Sequence, residues 1–384
     1  MSGEPVAKSA ASAVLTIDLA ALSRNWRILR DRVWPAECAA VVKANAYGLG
    51  IDRVVPALAQ AGCRSFFVAH VSEGIAARAV LGPEAGSLRI FVLNGLQAGA
   101  SSGRDYVEHG LIPVLGSAEE LQNWAACANG NRQRLPAALH VDTGMNRLGF
   151  SRVGDAKWLA ANLPRLSGPL KIELLMSHFI AAEEPENPFN ARQMAEFAMV
   201  TALLPGIPAS LANSSGIFLP QRPFHQMVRP GYALYGGNPV PNQPNPMEAV
   251  VQLHARIQQV RQIDRGGTAG YGAAWTAQRD SRLAIVGIGY ADGFPRGAGH
   301  LDARPGGAWA LAKGHPCKIV GRVSMDLMVL DVTDVPEETV SPGQIVELIG
   351  QHVSIDELGV HSGTFGYEIL TSLGQRYCRA YLNA

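Results

Sequence analysis

The chain has 384 residues, a formal net charge of +1 and only 17% charged residues, which fits two domains and gives no basic footprint for nucleic acid or an anionic membrane. Hydrophobic residues reach 47%, yet no uninterrupted apolar run approaches the roughly 18 residues that a membrane span needs. A small-molecule partner is expected, with no nucleic acid and no membrane.

In chain order, Met1 to Lys8 lacks the basic end and apolar core of a secretory signal, so a cytoplasmic location is expected. Residues 14–19 read as a strand. Asp18 is placed to cap the helix that follows, on which Leu19, Leu22, Trp26, Leu29 and Val33 share one face. Apolar β-type segments then recur near 37–43, 65–70, 89–94, 111–115, 137–142, 170–177, 207–213 and 227–235. Helical patterns fall between them at 51–61, 71–80, 117–128, 151–163 and 190–204. Eight strands alternating with helices fit an α/β architecture, a closed (β/α)8 barrel of the TIM type. An open doubly wound sheet would need fewer strands and usually a Gly-x-Gly-x-x-Gly turn after the first, which is missing.

Residues 238–248 hold Pro239, Pro241, Pro244 and Pro246, which bars regular helix or central strand. A boundary there divides a barrel over 1–241 from a mainly-β domain over 242–384, with residues 1–13 left free to associate with the second domain. Beyond it, short Val/Ile/Leu-rich segments at 249–263, 282–290, 316–323, 326–332 and 344–349 are separated by Gly- or Pro-containing turns, and helical periodicity returns at 355–360. Cys38, Cys63, Cys127, Cys317 and Cys378 are odd in number and contain no Cys-x-x-Cys pair. They are expected as buried, reduced thiols rather than metal ligands.

The chemistry is expected to centre on Val41-Val42-Lys43-Ala44-Asn45-Ala46-Tyr47-Gly48-Leu49-Gly50. Lys43 leaves an apolar strand, and desolvation there disfavours its ammonium form, so the amine can form a Schiff base. A lone lysine at such a place would more often snorkel to solvent. The surrounding segment changes that reading, because it resembles the pyridoxal-phosphate (PLP) lysine signature of alanine racemases, Val-Lys-Ala-Asn-Ala-Tyr-Gly-x-Gly. The resemblance makes Lys43 the cofactor-bearing lysine and a catalytic base, with Tyr47 among the cofactor-binding residues.

Other strand ends extend the likeness. Asp142-Thr143-Gly144-Met145-Asn146-Arg147-Leu148-Gly149 delivers an arginine on a Gly-flanked turn, and a planar guanidinium suits a carboxylate or phenolate although its default role is a surface ion pair. This segment resembles the family's Asp-Thr-Gly-Met-x-Arg-x-Gly, which implies that Arg147 contacts the cofactor ring oxygen and the substrate carboxylate. Many members carry a lysine two residues before the aspartate, able to be carbamylated and hold the arginine, where this chain has His140. Ser177-His178-Phe179 resembles the family's Ser-His-Phe, which gives His178 a relay role; a lone His there would otherwise read as a hydrogen-bonded structural residue.

Ala212-Asn213-Ser214-Ser215-Gly216 offers hydroxyls and freed amides at a helix start, suited to a phosphate or to a plain N-cap, and it resembles the family's phosphate-binding step. Val228-Arg229-Pro230-Gly231-Tyr232-Ala233-Leu234-Tyr235-Gly236 resembles the Arg-Pro-Gly-x-x-Leu-Tyr-Gly motif. By that resemblance Arg229 faces the pyridine nitrogen, while the amides of Gly231 and Tyr232 cradle the phosphate. A permanent cation at that nitrogen weakens the ring as an electron sink, which racemisation tolerates better than transamination does.

In the second domain, Gly270-Tyr271-Gly272 resembles the segment of the second catalytic base, the tyrosine that acts across a dimer interface in the family. Gly289-Tyr290-Ala291-Asp292-Gly293 resembles an entrance motif, and Gly321-Arg322-Val323-Ser324-Met325-Asp326 one whose Met325 amide meets the substrate carboxylate while Asp326 positions the site. Thr364-Phe365-Gly366-Tyr367-Glu368, followed by Gly374-Gln375-Arg376, resembles the closing motif, with Tyr367 near the phosphate. Together they imply a homodimeric PLP-dependent alanine racemase with shared active sites and two-base proton transfer at Cα. Its D-alanine would supply peptidoglycan, or its activity would serve L-alanine catabolism. A broad-specificity racemase of the same fold, a PLP-dependent decarboxylase of related architecture and a non-catalytic PLP-binding protein are the alternatives. The β-rich residues 249–384 count against the last.

Overall fold

The computed structural model describes residues 11–82, 86–96, 102–131, 134–166 and 168–383. Residues 1–10, the reading of a missing secretory signal among them, lie outside this set.

Parallel strands Ala40–Val41, Ser65–Val68, Arg89–Val92, Ile112–Leu115, Leu135–Asp142, Leu170–Met176 and Ala209–Ser210 pair in that order. Met227–Val228 closes the ring. It pairs in parallel with Glu37–Cys38, and the Glu37, Ala39 and Val41 amides donate to the carbonyls of Gln226, Val228 and Pro230. On its other side the Gln226 and Arg229 amides donate to the carbonyls of Ala209 and Ala212. The strands read as continuous apolar runs because both faces are covered, inside by opposing strands and outside by helices. Phe66, Phe67, Ile90, Phe91, Leu139 and Leu175 are fully buried there.

The helices Ile51–Ala61, Val71–Leu81, Ala118–Asn131, Arg152–Leu166 and Pro188–Leu203 fall within a few residues of the predicted segments. Ser102–Glu108 was not anticipated, since the Gly- and Ser-rich sequence before it hides its start. The seventh and eighth strands are only two residues long in regular pairing and give way to 3-10 turns at Ser215–Phe218 and Tyr232–Tyr235. The helix Leu19–Val33, capped by the Asp18 carboxylate on the Ala20 and Ala21 amides, covers this side of the barrel. Its buried Asn25 bonds to Leu234 O and to both backbone groups of Glu248.

The strand Ala13–Asp18, assigned to the barrel by its place in the chain, belongs instead to the second domain's sheet. It lies antiparallel to Val251–Ile263 and parallel to Cys378–Leu382. Alternate residues Ala13, Leu15 and Ile17 are buried, a period-2 pattern that needs a sheet to pack on. That sheet runs through Ser281–Val286, Met328–Asp331, His315–Ile319, Trp309–Ala312 and Ile345–Ile349 to the long strand Val251–Ile263, which also pairs with Ser281–Val286 and so closes a small antiparallel barrel. Trp309–Ala312 and Cys378–Leu382 were missed as strands because each is short and lacks a β-branched run. Ile355–Ser362 starts at the Ser354/Glu357 capping box, and Gly366–Ser372 follows it. None of the five cysteines is in a disulfide, and Cys38, Cys63 and Cys317 are buried while Cys127 and Cys378 are half-buried. Among the described residues no helix is long and apolar enough to cross a membrane.

Candidate active site

The carboxyl ends of the barrel strands open on a cavity of about 1350 Å³, roofed by residues 356–371 of the second domain. Lys43, Tyr47, Arg147, His178, Asn213, Ser214, Arg229, Gly231, Tyr232 and Tyr367 all line it, as does His140.

The segment after Lys43 makes one left-handed turn: Ala44, Asn45, Ala46 and Tyr47 have φ of 54°, 54°, 55° and 53°. Such backbone costs about 1–2 kcal/mol per L-residue, so the surroundings must hold it. Ala44 N donates to Glu73 Oε1 at 2.6 Å, and Ile51 N to Asn45 Oδ1 at 2.8 Å. From the second domain, Arg379 donates to Gly48 O at 2.7 Å and Tyr381 Oη to Leu49 O at 2.9 Å. Gly48 (φ 82°) is required by close approach as well, since a Cβ there would lie 2.5 Å from Leu370 O. Burial lowers the proton affinity of Lys43 and the Arg147 guanidinium lowers it further, while Glu73 acts in the opposite sense.

Arg229 is 3% exposed, and its donors go to Ser210 Oγ, Ser177 O and His178 Nδ1. Burial lowers its pKa to about 9. Because Nδ1 of His178 faces a guanidinium, it is the acceptor nitrogen, and the ring proton is assigned to Nε2. Burial, then Arg229, Arg147 and Lys43, hold His178 well below its usual range. His140 is lowered to about 4 by burial first and then by Arg229 and Arg147. Both imidazoles are therefore neutral at neutral pH. The turn bearing Arg147 is shaped by Asp142, whose Oδ1 accepts the amides of Gly144, Met145 and Asn146.

Ser214 Oγ accepts from Gly231 N at 3.0 Å and Ala233 N at 3.2 Å. With both lone pairs engaged, its hydroxyl proton is left to donate. The Gly231 amide is thus directed at Ser214. Asn213 Oδ1 caps Gly216 N at 2.9 Å. A Cβ at Gly231 would lie 2.3 Å from Tyr47 Oη, so only glycine lets the backbone come this close. An aromatic wall completes this end: Tyr47 stacks on Tyr235 at 4.6 Å, and Tyr232 on Tyr367 at 4.0 Å.

Neither Arg147 nor Arg229 has a carboxylate partner among the described residues. Arg229 is buried, and a buried cation without a counter-charge is costly, whereas Lys43 is half-buried, Arg147 is exposed, and Glu183, Asp356, Glu357 and Glu368 also line the cavity. A dianionic phosphate carrying an aromatic aldehyde fits these donors, with Ser214 and the last-strand turn at its phosphate and Lys43 at its carbonyl carbon.

The remaining predicted residues are not brought into the cavity by this chain. Tyr271, Tyr290 and Met325 are 70%, 40% and 53% exposed on one face of the second domain, and Asp326 is exposed beside them. The loops bearing them are bound together: Tyr290 N and Ala291 N donate to Ser324 O and Met325 O, each at 3.0 Å. Arg376 bridges Asp292 at 3.2 Å and Asp326 at 2.8 Å. Gly270 and Gly272 have φ of 76° and 72°, which lifts Tyr271 away from its own domain.

The family model described as alanine racemase, N-terminal domain, matches residues 17–239, and the alanine racemase C-terminal domain model matches 250–381. The chain belongs to the alanine racemase family. An alanine racemase of Methylobacterium sp. (strain 4-46) is 53% identical over 377 residues, 98% of this chain and 100% of that protein. The crystal structure of alanine racemase from Bartonella henselae with covalently bound pyridoxal phosphate superposes with a TM-score of 0.89 at 40% identity, covering 97% of this chain and 100% of that one. The biosynthetic alanine racemase from Pseudomonas aeruginosa gives 0.87 at 34% identity, covering 97% and 99%.

Two residues that support or line the alanine racemase cavity escaped sequence reasoning. Glu73 follows His70 at capping-box spacing, the one signal available for it. Asp356 accepts from Tyr232 Oη at 2.7 Å and Asn238 N at 3.1 Å, joining the second domain to the barrel; its position next to a good N-cap concealed it.

Proposed function

We propose that this chain is a PLP-dependent alanine racemase whose two proton-transfer groups come from different copies of the chain. The observation that carries the proposal is the separation just described: an amine lies inside the cavity, while the matching phenol stands exposed on the other domain. Bound PLP would supply an electron sink that makes the α-hydrogen of an amino acid acidic enough to leave.

The residues have separable tasks. Lys43 would hold the cofactor through its amine, and its Nζ would take or return a proton at the D face of Cα. Tyr271 Oη, delivered by a second copy, moves the proton at the L face. Arg229 would face the pyridine nitrogen as a donor that gives up no proton, and His178 Nε2–H passes this polarisation toward the tyrosine. Ser214 would donate to the phosphate, with Asn213, Gly231, Tyr232, Tyr47 and Tyr367 shaping that end. Arg147 and the Met325 amide would bind the substrate carboxylate, with Asp326 fixing the Met325 turn and Tyr290 bordering the approach.

Support for a homodimer comes from two exposed apolar surfaces: Leu148, Val360 and Phe365 at the cavity rim, and Tyr271, Tyr290, Met325 and Leu327 on the loop face. Seating one on the other in a symmetric pair would bury both and complete two sites at once.

Borohydride reduction followed by peptide mapping tests the first assignment, with the tag expected on Lys43. Coupling to a D-amino-acid oxidase tests the reaction, with D-alanine expected from L-alanine. A colourless protein that gains no absorption band on addition of PLP would sink the proposal.

A further inference from the structure

The left-handed turn after Lys43 is the most strained segment near the cavity, and three of the four residues in it, Ala44, Ala46 and Tyr47, have no local side-chain means of favouring that conformation. Its far end is held by Arg379 and Tyr381. Its near end, which is the peptide joining Lys43 to Ala44, is held by one group. Glu73 stands in the first turn of the helix Val71–Leu81, and its two oxygens divide three backbone donors. Oε1 takes Ala44 N at 2.6 Å, and Oε2 takes Ala69 N at 2.8 Å and His70 N at 3.1 Å. The strands that end at these amides are paired neighbours, with Ala40 opposite Phe66 and Val41 opposite Phe67. One carboxylate thus ties two strand ends together where the barrel opens onto the cavity.

The plane of the Lys43–Ala44 peptide sets ψ of Lys43 and with it the direction in which the side chain leaves the backbone. We propose that Glu73 is a positioning residue: by gripping the Ala44 amide it holds the left-handed turn and aims the Lys43 amine into the cavity, while its charge offsets the cations gathered there. The groups facing Lys43 are Arg147 and His178 from the barrel and Glu73 from the neighbouring strand end. Of these, Glu73 is the acidic one. This rests on the reading of Lys43 as the working amine, and it assigns to the acid both the geometry and the charge balance of that amine.

Gln cannot replace Glu73 silently, because its NH2 would meet at least one of the three N–H donors head on. The Glu73→Asp change keeps the charge on a shorter arm. The test uses the full chain as wild type, Glu73→Gln, Glu73→Asp and Glu73→Ala. Cofactor is stripped, Lys43 is pulse-labelled with acetic anhydride across the alkaline range, and the Lys43 peptide is quantified by mass spectrometry. The kcat and kcat/KM pH profiles of the PLP-loaded enzymes are recorded beside it.

Expected for Glu73→Gln is a labelling midpoint moved to lower pH, since the one acidic neighbour is gone while Arg147 stays. A fall in kcat of at least about tenfold should accompany it. Glu73→Asp should recover the midpoint more fully than the rate. The proposal is overturned if the Gln variant labels and turns over as wild type does. It is equally overturned if Gln and Ala lower the thermal midpoint while the labelling curve stays put, because the carboxylate is then only a cap for its helix. Labelling requires neither cofactor nor substrate, so failure of the racemase reading would show as absent D-alanine with the labelling shift intact.

Discussion

The barrel cavity and the loop face of the second domain meet opposite physical demands. In the cavity, the Arg229 guanidinium and two imidazoles are drawn out of water, the backbone is bent left-handed, and second-domain residues lock the turn from above. On the loop face, glycines and backbone hydrogen bonds fix three loops against one another, yet the side chains they carry stand in solvent. A polar site gains strength from exclusion of water, whereas an exposed tyrosine at a rigid turn gains nothing unless something covers it. Under the proposed pairing, the first region binds by itself and the second completes a site in another copy.

Changes in the cavity should therefore damage PLP binding as well as catalysis, and changes on the loop face should leave PLP binding intact. The largest effect is expected for Lys43→Ala, with racemisation in both directions falling by at least about 10⁴-fold when D- and L-alanine are separated by chiral chromatography. Tyr271→Phe should lower kcat by roughly 10²–10⁴-fold while PLP affinity, read by absorbance titration, stays at the wild-type value. Gly231→Ala should do the reverse. Its Cβ would crowd Tyr47 Oη at 2.3 Å, so PLP affinity should fall and urea unfolding should show a loss of about 1–3 kcal/mol.

Acid offers a further contrast. His140 has its pKa lowered to about 4 in the folded chain, against 6.5 for the free side chain, so the unfolded chain takes up a proton that the folded one resists. The associated stability is fully present above pH 6.5 and is lost as pH falls toward 4. At about pH 5 the loss should reach about 2 kcal/mol by urea unfolding, and it should shrink in His140→Asn. The smallest effect is expected for Arg376→Gln, which frees Asp326 and slackens the Met325 turn. Its KM for alanine should rise about two- to fivefold, with PLP affinity unchanged.

The alternation of apolar strands and helical faces made the barrel legible, since each element's period reflects which sides are covered. The strand Ala13–Asp18 was legible as a strand but not as part of the second sheet, because its partners lie more than 230 residues away. The cavity residues Lys43, Arg147, His178, Ser214 and Arg229 could be named because the segments around them resemble family motifs; their place near barrel strand ends, which converge by construction, agreed with that reading. The left-handed turn could not. Among Ala44-Asn45-Ala46-Tyr47 only Asn favours that backbone, and the forces that impose it come from Glu73, Arg379 and Tyr381. Asp356 was invisible for the same reason: its partner Tyr232 is 124 residues away. Long-range polar clamps leave no periodicity in the chain that carries them.

The central claim, that amine and phenol reach one carbon from two copies, is tested most directly by mixing. Lys43→Ala and Tyr271→Phe proteins, each nearly inactive alone, are unfolded together, refolded and assayed. Random pairing should restore about a quarter of wild-type activity, because half of the pairs are mixed and each mixed pair carries one intact site. If the mixture, shown to contain mixed pairs, stays as inactive as its components, both groups belong to one chain and the account is wrong.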